Sequence, residues 1–512
     1  MSKKKKRGQG LMNRFLNGVE KVGNALPHPA TLFALLAVLA LLLSFIGSLL
    51  DWHSIHPATG EEIPVINLLS KSGLDQIITK MVVNFTDFAP LGIVLVAMLG
   101  IGIAERSGLL SALIRMLVLK SPARILTFVI VFAGIMSNLA SSIGYVLLVP
   151  LAGSIFLALK RHPIVGMSAA FAGVSGGYSA NLVLGTIDPL LAGLSTEGAR
   201  IIDPAYNVNP TANYYLMIAS TFLIAFLGTW VTEKFVAPRF KEYKGDVEPE
   251  EMEQLGAEEK RGLRWSVITL GMWLVIFVVG LVPANGFLRG EGGGLLNSPF
   301  IDGIVALLFL VAGTMGIAYG VAVGKFKNDR DIVTSMSDSI KTLSFYIVLV
   351  FFAAQFVAYF KWSNMGIVFA IEGAEALMQA NLGLIPTMIL FIIFAGAINM
   401  IMGSASAKWA IMAPIFIPIF MILGYSPELS QAVYRIGDSV TNVISPMMSF
   451  FALIIAFFQK YEPKTGIGTV TSAMLPYSIF FFLGWSVLLI IWVLLDLPLG
   501  PGAGLHYEMG TG

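Results

Sequence analysis

The sequence predicts an all-α polytopic membrane protein: about nine transmembrane helices plus two re-entrant helical hairpins, arranged as inverted-topology repeats. Three observations carry this. First, 56% of the 512 residues are hydrophobic and only 12% charged, with a mean hydropathy of +0.79; a soluble domain carries about 25% charged residues. Second, apolar runs of the length a bilayer demands, ~20 residues, recur along the chain. Third, Lys and Arg are segregated into alternate loops. The same composition excludes a disordered chain and an ordinary soluble enzyme. The net charge of +2 excludes a nucleic-acid binder. With no Cys, and five His that form no HxxxH or HxH pair, disulfides and thiolate nucleophiles are excluded and a zinc site is disfavoured.

The first apolar run, Ala30 to Leu50, follows the basic arm Lys3-Lys4-Lys5-Lys6-Arg7. Its core is longer than that of a signal peptide and no small-residue cleavage site follows, so it reads as a retained first helix with a cytoplasmic N-terminus. The remaining crossings are expected near 89–106, 163–194 (broken), 212–236, 264–284, 301–324, 342–361, 429–459 (broken) and 473–497. Hairpins are expected at 125–160 and 382–423. In domain terms the chain divides into a basic cytoplasmic arm (1–28), a first transmembrane helix (29–51) and repeat 1 (69–236). An acidic cytoplasmic loop (237–263), a linking pair (264–324), repeat 2 (333–497) and an external C-terminal tail (498–512) complete it. Loops threaded inside hold 26 of the 33 Lys and Arg. Loops threaded outside hold Lys71, Lys80, Arg200, Arg289 and Lys361. Lys241 to Lys260 reads as a solvated linker with eight acidic residues between Glu242 and Glu259.

The two halves echo each other. Phe132-Ala133-Gly134 recurs as Phe394-Ala395-Gly396, each followed by an asparagine, Asn138 and Asn399. Ile187-Asp188-Pro189 recurs as Ile444-Ser445-Pro446, which sets Asn181 opposite Asp438. Short amphipathic stretches, Leu74 to Phe88 and Val333 to Leu343, precede the first crossing of each half. The threading gives the halves opposite orientations. Inverted repeats with interrupted helices point to a secondary transporter with its site where the repeats meet. Arg124 to Asn138 makes only about 20 Å of helix, too short to cross, so it enters and returns. The tips, around Ser141, Ser142 and Gly144 and around Asn399 to Ser406, offer oxygens suited to a hard cation such as sodium.

Charged residues inside apolar segments mark candidate sites, because a charge at the bilayer centre costs at least ~2.5–3.5 kcal/mol. They are Asp188, Lys408, Arg435 and Asp438. Arg435 and Asp438 share a helix face three residues apart, either as a self-neutralising pair or as an anion site beside a cation site. Lys408 reads as a side chain snorkelling from a helix end, or as a buried charge that needs a partner or a water-filled cavity. Trp409 beside it suits either packing or stacking on a ligand. Asn138, Asn181, Asn399 and Asn442 read as cation ligands or as caps of broken helices. Gly173-Val174-Ser175-Gly176-Gly177-Tyr178-Ser179 follows no strand and lacks phosphate-loop spacing, so it reads as the unwound middle of a crossing.

These residues also resemble a known family, the p-aminobenzoyl-glutamate transporter (AbgT) family. The likeness runs along nearly the whole chain. It is carried by Pro27-His28-Pro29, Ala172 to Leu182 and Asn209-Pro210 with Asn213-Tyr214-Tyr215. Ser404 to Trp409 and Tyr434-Arg435-Ile436-Gly437-Asp438-Ser439 extend it. The resemblance implies a homodimer with a water-filled basin open to the cytoplasm, in a bacterial inner membrane. It implies a sodium site at Asn399 and Asp438, and a transport pathway through Asp188, Ser406, Trp409, Pro427, Arg435, Asp438 and Pro446. It implies an aromatic carboxylate or sulfonamide as substrate, no cofactor, and sodium or protons as coupling ion. A carrier for another organic anion, such as a dicarboxylate, is the alternative. A channel is disfavoured by the inverted repeats, and an intramembrane hydrolase by the lack of a nucleophile and base in a peptidase-like setting.

Overall fold

The computed structural model describes residues 27–508, apart from positions 56, 58, 59, 140–142, 241, 242, 244, 246, 248–253 and 297. The basic arm, most of the acidic run and the tip residues Ser141 and Ser142 lie outside the described residues. What is described is almost entirely helical; the one strand pair, His53–Ile55 with Glu62–Pro64, is a short antiparallel ribbon after the first helix.

The unbroken crossings are Pro29–Leu49, Ala89–Ser107, Tyr214–Val231, Ala257–Leu281, Ile304–Ala322, Ser344–Trp362 and Ile467–Leu494. Two further crossings are broken. The first runs as Pro163–Phe171 and a π-helical turn Ala172–Gly176, leaves the helix over 177–186, and resumes as Ile187–Ala199. Its glycines therefore end a helical segment, and the unwound stretch begins at Gly177, later than the glycine run suggested. The second is Pro427–Asn442, a break at 443–450, and Phe451–Tyr461. Amphipathic helices Lys71–Thr86 and Asp329–Thr342 lead into the two halves as expected. Length alone would miscount this chain. Nine described helices are long and apolar enough to span, but two of them, Leu384–Ile401 and Ala405–Ile422, are the arms of the second hairpin. The two broken crossings fail that criterion because neither piece is long enough.

The hairpins are re-entrant by contact. Arms Leu126–Met136 and Val149–Ala158 bring their tip to the first break, where the Asn138 amide donates to the carbonyls of Val174 and Gly177 at 3.0 and 3.4 Å. In the second hairpin the Asn399 amide donates to the Asp438 carbonyl at 3.0 Å and the Thr441 hydroxyl at 2.9 Å. In both halves the two acceptors lie three residues apart, one turn. These matching contacts correct the register read from sequence. Asp438 stands opposite Val174, not Asn181. By the same offset Asn181 stands opposite Ser445, and both reach the neighbouring hairpin arm: Asn181 the Ile135 carbonyl at 3.4 Å, and Ser445 the Asn399 carbonyl, one turn further along, at 2.9 Å. The Ile-x-Pro echo was a chance match within apolar sequence.

Paired glycines set how closely each hairpin lies on its broken helix. A Cβ on Gly173 would come within 2.3 Å of the Val131 carbonyl oxygen, and one on Gly134 within 2.9 Å of Gly173. In the other half, a Cβ on Gly437 would come within 2.5 Å of the Ile392 carbonyl oxygen, and one on Gly396 within 2.9 Å of Thr441. Close backbone approach through small residues is how helices associate in lipid, where burial of apolar surface gives little drive. Gly437→Val and Gly173→Val are therefore expected to force backbone apart, costing about 1–3 kcal/mol or more. Thermal unfolding of purified protein should show a lower midpoint for both, while Gly271→Ala, with nothing within 4 Å of its Cβ, leaves it unchanged.

Candidate functional site

The broken helices meet at their breaks. The Ser179 amide donates to the Ser439 hydroxyl at 3.1 Å, and the Ser175 hydroxyl lies 3.1 Å from the Met448 sulfur. Pro427 starts the helix that forms one side. Its fixed φ suits the first helical position, and Ser426 before it accepts from the Leu429 amide at 3.1 Å. Every residue from Pro427 to Val440 is buried, polar ones included. Pro446, which has no N–H to continue a helix, lies in the break that follows.

Four buried charges gather here, in two pairs. Arg435 and Asp438 do not neutralise each other. Arg435 Nη2 lies 2.7 Å from Asp188 Oδ1, on the other half of the molecule. Asp438 is paired with Lys408, whose Nζ donates to both Asp438 Oδ1 and Asn399 Oδ1. Lys408 thus does not snorkel: it is 1% exposed, and its ammonium points inward to Asp438. The Asp188–Arg435 contact is close but poorly aligned for a hydrogen bond, and Arg435 Nε has no hydrogen-bond partner among the described residues. Asp188 is anchored from behind by the Gly185 amide, at 2.6 Å to Oδ2. A guanidinium with an unspent donor beside a displaceable carboxylate is an anion-receiving arrangement.

Aromatic and amide groups brace the site. The Trp409 ring stacks on Tyr434 at 4.4 Å and 22°, and its N–H donates to Ser195 at 2.9 Å. Ser195 donates to Gln431 at 2.7 Å, and Gln431 to Asn213 at 2.9 Å. Trp409 is fully buried, so in this conformation it packs. Ser406 sits at the start of the returning hairpin arm, half-buried, 3.4 Å from Ser404. Sequence reasoning missed Ser195, Gln431, Tyr434 and Ser439. The signal for the last three was present, since the segment 427–442 is too polar to face lipid yet lies between apolar crossings. The space beside Arg435, lined by Ser179, Asn213, Met217 and Trp485, holds about 10 Å³, room for about one water. A ligand larger than a water does not fit beside Arg435 in this conformation.

The oxygens Asn399 Oδ1 and Asp438 Oδ1 converge on one point, and that point holds an ammonium. A carboxylate with an amide oxygen is a donor set for a hard monovalent cation. Asn442 braces it, donating to Asp438 Oδ2 at 3.0 Å and accepting from Asn399 at 2.8 Å. Among the described residues the first half offers no carboxylate there: Val174 takes the place of Asp438, and the Asn181 oxygen accepts from the Val183 amide at 3.2 Å.

Inverted repeats, broken helices meeting hairpin tips and charges buried at that junction define a membrane transporter. Comparison with known proteins agrees. The description "AbgT putative transporter family" matches residues 14–507, and the chain belongs to that family. It is 36% identical over 485 residues to the p-aminobenzoyl-glutamate transport protein of Escherichia coli (strain K12), covering 94% of this chain and 95% of that one. The crystal structure of the Alcanivorax borkumensis YdaH transporter is similar at 45% identity and a TM-score of 0.89, covering 93% of this chain and all of that one. Neisseria gonorrhoeae MtrF, described with a class of antimetabolite efflux pumps, is similar at 49% identity and a TM-score of 0.90, covering 96% and 100%.

Asp188→Asn would strand a buried guanidinium and is expected to lower stability by about 3–5 kcal/mol. Adding Arg435→Gln should recover part of that loss, because the stranded charge is gone. Thermal unfolding of the two variants checks this; a double variant no more stable than the single one contradicts the pairing.

Proposed function

We propose that the protein is an ion-gradient-driven secondary transporter that carries p-aminobenzoyl-glutamate or related aromatic acids, p-aminobenzoate and sulfonamide-type antimetabolites among them, across a bacterial inner membrane. The observation that carries this reading is Arg435: buried at the junction of the halves, with Nε free and Asp188 as its only ionic partner among the described residues. A substrate carboxylate takes the place of Asp188, using the planar fork for two parallel hydrogen bonds. Rearrangement of the halves opens the one-water space beside it and frees an aromatic surface, Trp409 on Tyr434, for the ring. Ser406 and Pro446 lie at the hairpin tip and the break, where such a rearrangement bends the chain. The names of the relatives support the same substrate class.

The coupling ion is sodium at Asn399 and Asp438, or a proton; Asn138 and Asn181 act as caps of the first break. The charge segregation of the loops supports a cytoplasmic N-terminus, and the family resemblance supports a homodimer. A carrier of another organic anion, such as a dicarboxylate, would use the same Arg435 site, and ligand competition in a transport assay separates the two readings.

In proteoliposomes, Arg435→Ala and Asp438→Asn should reduce gradient-driven movement of radiolabelled p-aminobenzoate to the level of empty liposomes. Arg435→Lys keeps the charge but loses the fork, and should fall at least about tenfold. Size-exclusion profiles verify that each variant is folded. Full transport by folded Arg435→Ala would sink the assignment.

A further inference from the structure

We propose that Lys408 is a tethered cation that competes with sodium for the oxygens of Asn399 and Asp438, so that sodium binds there only as the ammonium leaves. The inference rests on the reading of those oxygens as the coupling-cation site. Three observations lead to it. Lys408 Nζ donates to Asn399 Oδ1 and Asp438 Oδ1, the two oxygens a sodium ion would need. The site has one carboxylate to offset one positive charge, since Asp188 is held by Arg435. Two cations a few ångströms apart in a water-poor interior repel strongly, so occupancy is exclusive. Finally, the displaced ammonium has somewhere to go: Nζ is 6.0 Å from the centre of the Tyr434 ring, within range of a cation–π contact.

The repeat shows that this pair is an addition to the scaffold. The asparagine-to-helix contact exists in both halves. Lys408 lies against Asp438, whereas the returning-arm residue that lies against Val174 is Gly144, which carries no charge. Val174 stands where Asp438 stands. The first half lacks both members, so the fold does not need the pair, and cation and carboxylate come as a set. The placement also links ion to motion. Asn399 lies on the outgoing hairpin arm, Lys408 on the returning arm and Asp438 on the broken helix. The ammonium ties all three, and sodium taking its place releases the returning arm while keeping the other two joined.

The test is equilibrium binding of radioactive sodium to purified full-length protein, with choline as the replacement cation. Wild type, Lys408→Met and Lys408→Met with Asp438→Asn are compared, all purified in sodium. Lys408→Met should bind sodium at least tenfold more tightly than wild type, and the double variant should lose that binding. Equal affinity in wild type and Lys408→Met, still dependent on Asp438, overturns the competition and leaves the cation site standing. No sodium binding by folded Lys408→Met overturns both. If Lys408→Met does not fold even in sodium, the wild type decides. Labelling of Lys408 by a small amine-reactive reagent, read by mass spectrometry, should be several-fold faster in sodium than in choline. Equal labelling overturns the proposal.

Discussion

Four ionised side chains are buried beside two helix breaks, and each is offset by a partner on another segment: Arg435 by Asp188, Lys408 by Asp438. A charge in an apolar interior carries a desolvation cost that one partner rarely repays in full, and its loss strands the other. The rest of the structure is arranged to let these pairs form. The hairpins deliver Lys408 and Asn399, and the broken helices deliver Asp188, Arg435 and Asp438. The Gly185 amide and the Asn442 amide hold the far oxygens of the two carboxylates. Because Asp188 belongs to one half and Arg435 to the other, their pair joins the repeats, and a ligand that separates it changes how the halves sit together. A bistable contact of this kind is what converts binding into a change of access.

Backbone proximity makes the pairing possible. Gly134 on Gly173 and Gly396 on Gly437 bring each hairpin against its broken helix closely enough for an asparagine amide to reach carbonyls on the neighbouring helix. The two halves share this frame, with different chemistry laid over it. Val174 fills in one half the position that carries Asp438 in the other, and the uncharged Gly144 lies against it. The protein thus has one elaborated ionic centre on a pseudosymmetric scaffold.

Much of this was legible in the sequence. Crossings, breaks and hairpins followed from apolar run lengths and from the alternation of Lys and Arg, because the bilayer imposes both. The candidates Asp188, Arg435, Asp438 and Asn399 followed from the cost of polar groups in apolar segments, and they do converge. Which charge pairs with which was not legible. Helical spacing left open whether Arg435 and Asp438 neutralise each other or serve separate sites, and long-range packing gives each a partner from elsewhere. Lys408 was misread because a lysine next to a helix start usually reaches for water; here the hairpin tip is buried, and inward is the direction of its counter-ion. The repeat register slipped because apolar segments match easily by chance, and only the asparagine contacts fix it.

The central claim is that substrate binds at the junction by taking the place of Asp188 on Arg435. The chain has no native cysteine, so a single Ser406→Cys at the adjoining hairpin tip reports on that place without background. Its labelling rate by a water-soluble maleimide, with and without p-aminobenzoate, is the most direct measurement. The account predicts that the ligand changes the rate, and that Arg435→Ala abolishes the change. A rate unaffected by ligand in the protein that retains Arg435, under conditions where it transports, would contradict the claim.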